Sequence, residues 1–401
     1  MRQTHFLFGA CILASGCALS HQPVNDSGAA DAGFDVPAFD AGPFRCDGVR
    51  VGAEHDLINE WNATGPSIVA LPRGEVGVFT LSAPLSIARA NYQRLNANLE
   101  RIGESMVLLD PSGGHTVPAF VGDTMYVSHR ERGSSAGDGS LLTPFTSEGA
   151  VAGPVTQVAE DEPPFLSPAA GGLFWFSLRF FPEETIRAAH ISTDGELLHD
   201  VVEIPSGNLI RGTRAVPVHG GSAHVLTYSR NTVDRFPRVS VGFVNRIRTD
   251  GTFGPERQLG EDAVISVTPV VIRNELVLVR HQSDALVIER ANIDTLERIE
   301  EFRFDPITDQ PLVAQLGGRL LVIHFQAETS QMHVDDFGRD FSEPTRLSIE
   351  LDGPAYQNGS VVESPATRSS SAGVVITNLL QPGTSVYPWL VRLVCENSVD
   401  G

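Results

Sequence analysis

The sequence predicts an all-β chain built from one repeated unit, and three observations carry the prediction. First, a turn followed by a short run in which every other residue is large and apolar recurs seven times. The copies are Gly74–Ser82, Gly122–Arg130, Ala170–Arg179, Gly220–Tyr228, Arg273–Gln282, Gly317–Gln326 and Ala372–Leu379, with successive starts 44 to 55 residues apart. Second, Thr193-Asp-Gly195 and Thr249-Asp-Gly251 each stand between alternating runs, where Asp-Gly signals a tight hairpin turn. Third, beyond the N-terminus no long stretch keeps an apolar helical period. A repeat of this length made of short strands is the pattern of a β-propeller, whose units cannot bury both faces alone. The expected architecture is seven four-stranded blades. Six or eight remain open, because the first and last repeats are the least regular.

Taken in order, 52–66 reads as an irregular insert with one short helix around His55–Trp61. The third blade reads most fully: Pro164–Ala169, Leu173–Leu178, Ile186–Ser192, then Glu196–Ile204, four strands joined by hairpins. The last repeat supplies only three, Ser360–Glu363, Gly373–Leu379 and Tyr387–Cys395. At the other end, the run from Arg45 to Val51 has no partner of its own. The ring therefore closes if this N-terminal strand completes the last blade. That places Cys46 and Cys395 on neighbouring antiparallel strands, within reach of a disulfide. No C-x-x-C spacing supports a zinc or redox site.

Residues 1–16 read as an export signal, with an apolar segment too short to span a bilayer. Ala14-Ser15-Gly16-Cys17 resembles a bacterial lipobox, although Leu13 stands one place before the usual leucine position and Arg2 is the only basic residue ahead of it. The resemblance implies a signal peptide over 1–16 and diacylglycerol on Cys17. Without an aspartate at Ala18, it also implies the outer membrane. An ordinary signal peptide cleaved nearby is the other reading. Residues 18–45 repeat Asp-Ala-Gly and carry few large apolar residues, so they read as a disordered spacer. As a flexible chain its span is about 30 Å. The propeller domain is then 46–397.

The 29 basic and 49 acidic residues give a net charge of −20, which repels phosphate backbones and excludes nucleic acid as a partner. Gly133-Ser-Ser-Ala-Gly137 matches a nucleophile-elbow pattern but sits in a polar loop with no helix after it, so Ser135 is a loop serine. His190 and His199 flank a hairpin. His324 and His333 stand near Asp335 and Asp336, but alternation lets only His333 and Asp335 of that last run share a face, so no metal site is predicted. Asp335–Asp340 and Asp234–Arg238 read as turns, without the ligand spacing of an EF-hand loop. Phe174, Trp175 and Phe176 read as core between blades, with Phe180 and Phe181 as the exposed part of that cluster.

The glycine-led repeats over 46–395 resemble β-propeller blades in general. Gly171-Gly172, Gly220-Gly221 and Gly317-Gly318 are similar to kelch glycine pairs, but the downstream Tyr and Trp of kelch repeats are absent. No Trp-Asp ending recurs as in WD repeats. With an anchor, a spacer, no cofactor and no catalytic set, the sequence points to a monomeric, non-catalytic module. It would bind a protein, peptide or glycan through its loop faces and touch the membrane only through its lipid. The competing reading is a hydrolase or lyase acting on saccharides, with acidic residues gathered at one channel mouth.

The mature chain is expected to begin at a diacylated Cys17. Intact mass before and after base hydrolysis reads this directly, and an unlipidated N-terminus elsewhere would remove the anchor.

Overall fold

The computed structural model describes residues 46–396, apart from 57–62, 72–74, 83–87, 113–117, 131–139, 159–164, 180–184, 206–210, 232–239, 308–310, 327–329, 339, 342, 352, 354, 365–371 and 381–385. Twenty-eight strands fall into seven four-stranded sheets. In six of them the strands follow chain order, over 63–112, 119–158, 165–205, 211–258, 266–304 and 312–350. We number these sheets one to six. The seventh has the order β26 (Ala355–Ser364), β27 (Ala372–Leu380), β28 (Val386–Glu396) and then β1 (Gly48–Asp56).

The first strands form the inner ring. They are β2 (Ala63–Ala70), β6 (Ala119–Val121), β10 (Phe165–Ala169), β14 (Arg211–Val218), β18 (Ser266–Ile272), β22 (Leu312–Leu316) and β26. Each contacts the next, and β26 contacts β2. The apolar runs singled out in the sequence are the second strands, and in sheets one to six their described residues are largely buried on both faces. In β19 (Glu275–His281), six consecutive residues are buried. The core accordingly lies in layers between neighbouring sheets. Phe79, Tyr92, Met125 and Phe145 pack between sheets one and two. Phe174, Ile186, Leu226 and Tyr228 pack between sheets three and four. Each fully buried Leu, Val or Phe side chain contributes about 1.5–3 kcal/mol.

The two chain ends meet in sheet seven. β1 pairs with β28 in antiparallel register, Val49 opposite Cys395 and Asp56 opposite Trp389. Cys46 and Cys395 form a disulfide, with Cα atoms 5.2 Å apart at a sequence separation of 349. The backbone N–H of Asp47 extends the ladder by donating to the Glu396 carbonyl at 3.0 Å.

Two expectations need correction. The stretch 52–66 is not an insert: β1 runs on to Asp56 and β2 starts at Ala63, while 57–62 lies outside the described residues. The blade of four hairpin-linked strands is also too regular. In sheets two, three and four the third strand ends in a turn closed by Gly149, Gly195 or Gly251, at φ 88°, 83° and 81°. Those left-handed angles favour glycine, which has no Cβ to clash. The chain then makes a single bridge (Phe145 to Val151, Ile191 to Leu197, Ile247 to Phe253) and leaves the ladder. It returns for short outer strands, β9 (Thr156–Val158), β13 (Val202–Pro205) and β17 (Arg257–Gln258). The fourth strand of sheet three thus begins at Val202, not Glu196. Val151, Leu197 and Phe253 stay exposed, so little apolar burial rewards a longer outer strand.

Each sheet reaches onto the connection between the third and fourth strands of the next. Tyr92 donates to the Ser147 carbonyl at 2.7 Å, Tyr126 to Thr193 at 3.2 Å, and Arg246 to Ile293 at 3.3 Å. Arg319 donates to the Cys46 carbonyl at 3.1 Å, and Arg392 closes the circuit by donating to the Ala97 carbonyl. Between sheets three and four the His199 ring lies against Gly251, and between five and six Arg290 stands over the Phe341 ring at 6.0 Å.

Replacing Cys46 or Cys395 with serine is expected to lower stability by about 2–5 kcal/mol. The readout is the denaturant midpoint, which reductant should lower in the parent chain but not in the variant. A parent midpoint indifferent to reductant would show that the ends hold without the bond.

Candidate functional site

Several residues named from the sequence fall outside the described residues: Cys17, Ser135, Phe180, Phe181 and the run Asp234–Arg238. Phe174, Trp175 and Phe176 are buried between sheets. Among the described residues, no group of three or more His, Cys, Asp or Glu is placed to hold a metal ion.

The structure does assemble a polar face in sheet six. Strands β23 (Arg319–Gln326), β24 (Gln331–Asp336) and β25 (Thr345–Glu350) pair so that His324 lies opposite His333, Asp335 opposite Arg346, and His333 opposite Ser348. Alternation alone joined His333 to Asp335. Cross-strand register adds His324, Gln326 and Arg346 to the same face. That face lines a cavity of about 410 Å³ between sheets five and six. Leu286, Phe304 and the connection Asp305-Pro306-Ile307 form part of the opposite wall.

Asp335 is the pivot. It is 3% exposed, which would raise the pKa of an isolated carboxyl. Its oxygens accept Arg346 Nε at 2.6 Å, Arg346 Nη2 at 2.8 Å and His324 Nε2 at 3.2 Å. Burial works against ionisation, but these hydrogen bonds outweigh it and hold the carboxyl at about 2. The ionised carboxylate fixes the proton of His324 on Nε2. Among the described residues Nδ1 has no hydrogen-bond partner, on a residue 8% exposed that lines the cavity. His333 is fully engaged, its Nε2–H donating to Gln326 Oε1 at 3.1 Å while Nδ1 accepts from Ser348 Oγ at 2.9 Å. Burial, then the neighbouring His324 and Arg346, lower its pKa and keep it neutral. Asp336 points to the other face, where it pairs with Arg319 at 2.9 Å and accepts the Gly338 N–H, the turn role read from the sequence.

A second constellation joins sheets three and four. His199, His190 and His224 stand in line. His190 Nδ1 is 3.0 Å from His199 Nε2, and His190 Nε2 is 3.1 Å from His224 Nδ1. The row ends on carbonyls, His224 Nε2–H donating to Pro168 at 3.0 Å and His199 Nδ1–H to Asp200 at 2.6 Å. The backbone N–H of His190 also donates to His199 Nε2 at 3.1 Å. Burial, then His199, lowers His190 to about 4 against a small opposing pull from Asp250. Burial, then His190, takes His224 well below its ordinary range. His129, whose Nε2 meets Thr143 Oγ1 at 2.9 Å, is held at about 4 by burial alone. The row spans residues 34 positions apart, and only the sheet order could have revealed it.

These three histidines make stability fall in mild acid. Their folded pKa lies below the unfolded value of 6.5, so the unfolded chain takes up protons first as pH drops. Stability is full above pH 6.5 and declines toward pH 4, by up to about 1.4 kcal/mol per pH unit for each proton taken up on unfolding. Denaturant midpoints at pH 7.5, about 5.5 and about 4.5 read the slope, and a flat profile would refute neutral burial.

No family model and no curated protein matches this sequence. Solved structures do. A protein of unknown function from Dyadobacter fermentans superposes with a TM-score of 0.53 at 13% identity, over 87% of this chain and 100% of that one. The WD40 domain of Toxoplasma gondii coronin superposes with a TM-score of 0.54 at 8% identity, over 90% of each chain. At such identities the likeness is one of fold, and the fold it shows is the β-propeller.

Proposed function

We propose that this β-propeller is a non-catalytic binding module that takes a protein, peptide or glycan ligand in the cleft between sheets five and six. The observation that carries the reading is His324, a buried imidazole held by Asp335 with its second ring nitrogen unpartnered at a cavity. The cavity falls in the lower part of the range of about 300–1,000 Å³ typical of ligand sites. In this reading the chain is exported and held at the cell envelope through Cys17, with 18–45 as the tether.

The same pair supports a second reading. A carboxylate that fixes an imidazole tautomer also makes a general base, as a hydrolase or lyase acting on saccharides would need. Asp305 and Glu343 line the same cavity and would supply the acidic groups.

Glycan and peptide arrays probed with the parent chain and with His324→Asn separate these readings, alongside turnover of chromogenic glycosides. A binding module gives array signals that drop at least tenfold in the variant, with no turnover. Turnover abolished by the variant would make the protein an enzyme, and identical array profiles would remove the cleft as the site.

A further inference from the structure

We infer that the ligand of this cleft is a cation carried on an apolar stem, as presented by an arginine or lysine side chain of a polypeptide. The inference rests on the cleft being the binding site.

The sign of the site follows from which charges are already matched. Asp335 and Arg346 hold each other through two hydrogen bonds and cancel. Asp305 and Glu343, both exposed at the same cavity, have no ion-pair partner among the described residues. They leave the cleft negative. Two carboxylates at one cavity suit a donor-rich group. A guanidinium offers five N–H donors and an ammonium three.

The walls suit the stem. Phe304 and Phe337 meet edge to face, with ring centroids 4.7 Å apart, and Leu286 and Ile307 extend the apolar surface. Lysine and arginine lay their methylenes along such surfaces while the charge reaches polar groups, and aromatic faces attract the cation itself. An anionic ligand would meet two unmatched carboxylates. The net charge of −20 acts in the same direction at longer range, drawing cations toward the molecule.

The test is a titration of the full chain with N-acetyl-argininamide, N-acetyl-lysinamide, N-acetyl-glutaminamide and N-acetyl-glutamate. It is read on the ring resonances of His324, which His324→Asn assigns. The two basic probes are expected to shift that ring and to bind at least tenfold more tightly than the neutral one. Added salt should weaken them. The double variant Asp305→Asn/Glu343→Gln should erase the preference, and its unchanged melting temperature would show that the fold is intact. If the neutral or acidic probe shifts the ring as strongly as the basic ones, or if the double variant keeps the preference, the cation inference fails while the site stands. If no probe shifts the ring, the cation inference fails, and the array comparison with His324→Asn decides whether the cleft is a site.

Discussion

The structure depends on its two ends meeting in one sheet. Without β1, the outer edge of β28 would be open and sheet seven would have three strands. The closure is therefore over-determined. It has a full strand pairing, a disulfide, and the Arg319 hydrogen bond that ties the Cys46 carbonyl to sheet six. The pairing is also the most non-local in the molecule, joining residues about 350 positions apart. Loop-closure entropy makes such contacts late and slow to form. A covalent clasp acts where that entropy is largest.

Closure in turn fixes what the layers can hold. A sheet buried on both faces has room for polar groups only where they satisfy one another, because an unpaired buried charge costs several kcal/mol. Sheet six carries apolar side chains at Leu321 and Ile323, yet β23 to β25 also hold two histidines and an ion pair between the sheets. Replacing a buried ion pair by apolar residues of similar size is often neutral or stabilising. Stability alone therefore does not account for this cluster. A cavity lies beside it.

The legible part of the sequence was the part governed by burial. Second strands run between two neighbours, so runs such as Leu276–Val279 and Leu320–Ile323 are continuously apolar and stand out. Cys46 and Cys395 were legible because a missing strand at one end matched a spare strand at the other. The outer strands were not legible. Residues 156–158 and 257–258 face solvent on one side, carry little pattern, and are joined through excursions of several residues. The cleft was hidden for a different reason. His324 meets Asp335 through register across paired strands, and Phe304 lines the same cavity from the neighbouring sheet. Neither is written in local spacing.

The interactions that join successive sheets explain why the repeat leaves no motif. The position is constant, since a side chain of one sheet always touches the connection before the outer strand of the next. The chemistry is not. Tyr92 and Tyr126 use a phenol, Arg246, Arg319 and Arg392 a guanidinium, His199 a ring against glycine, and Arg290 a cation over Phe341. A backbone carbonyl accepts from any of these donors, so the geometry does not depend on one residue type. What must repeat is backbone shape, which a glycine at φ near 85° can set in sheets two, three and four. Sequence identity to other propellers can therefore fall to 8% while nine-tenths of the chain still superposes.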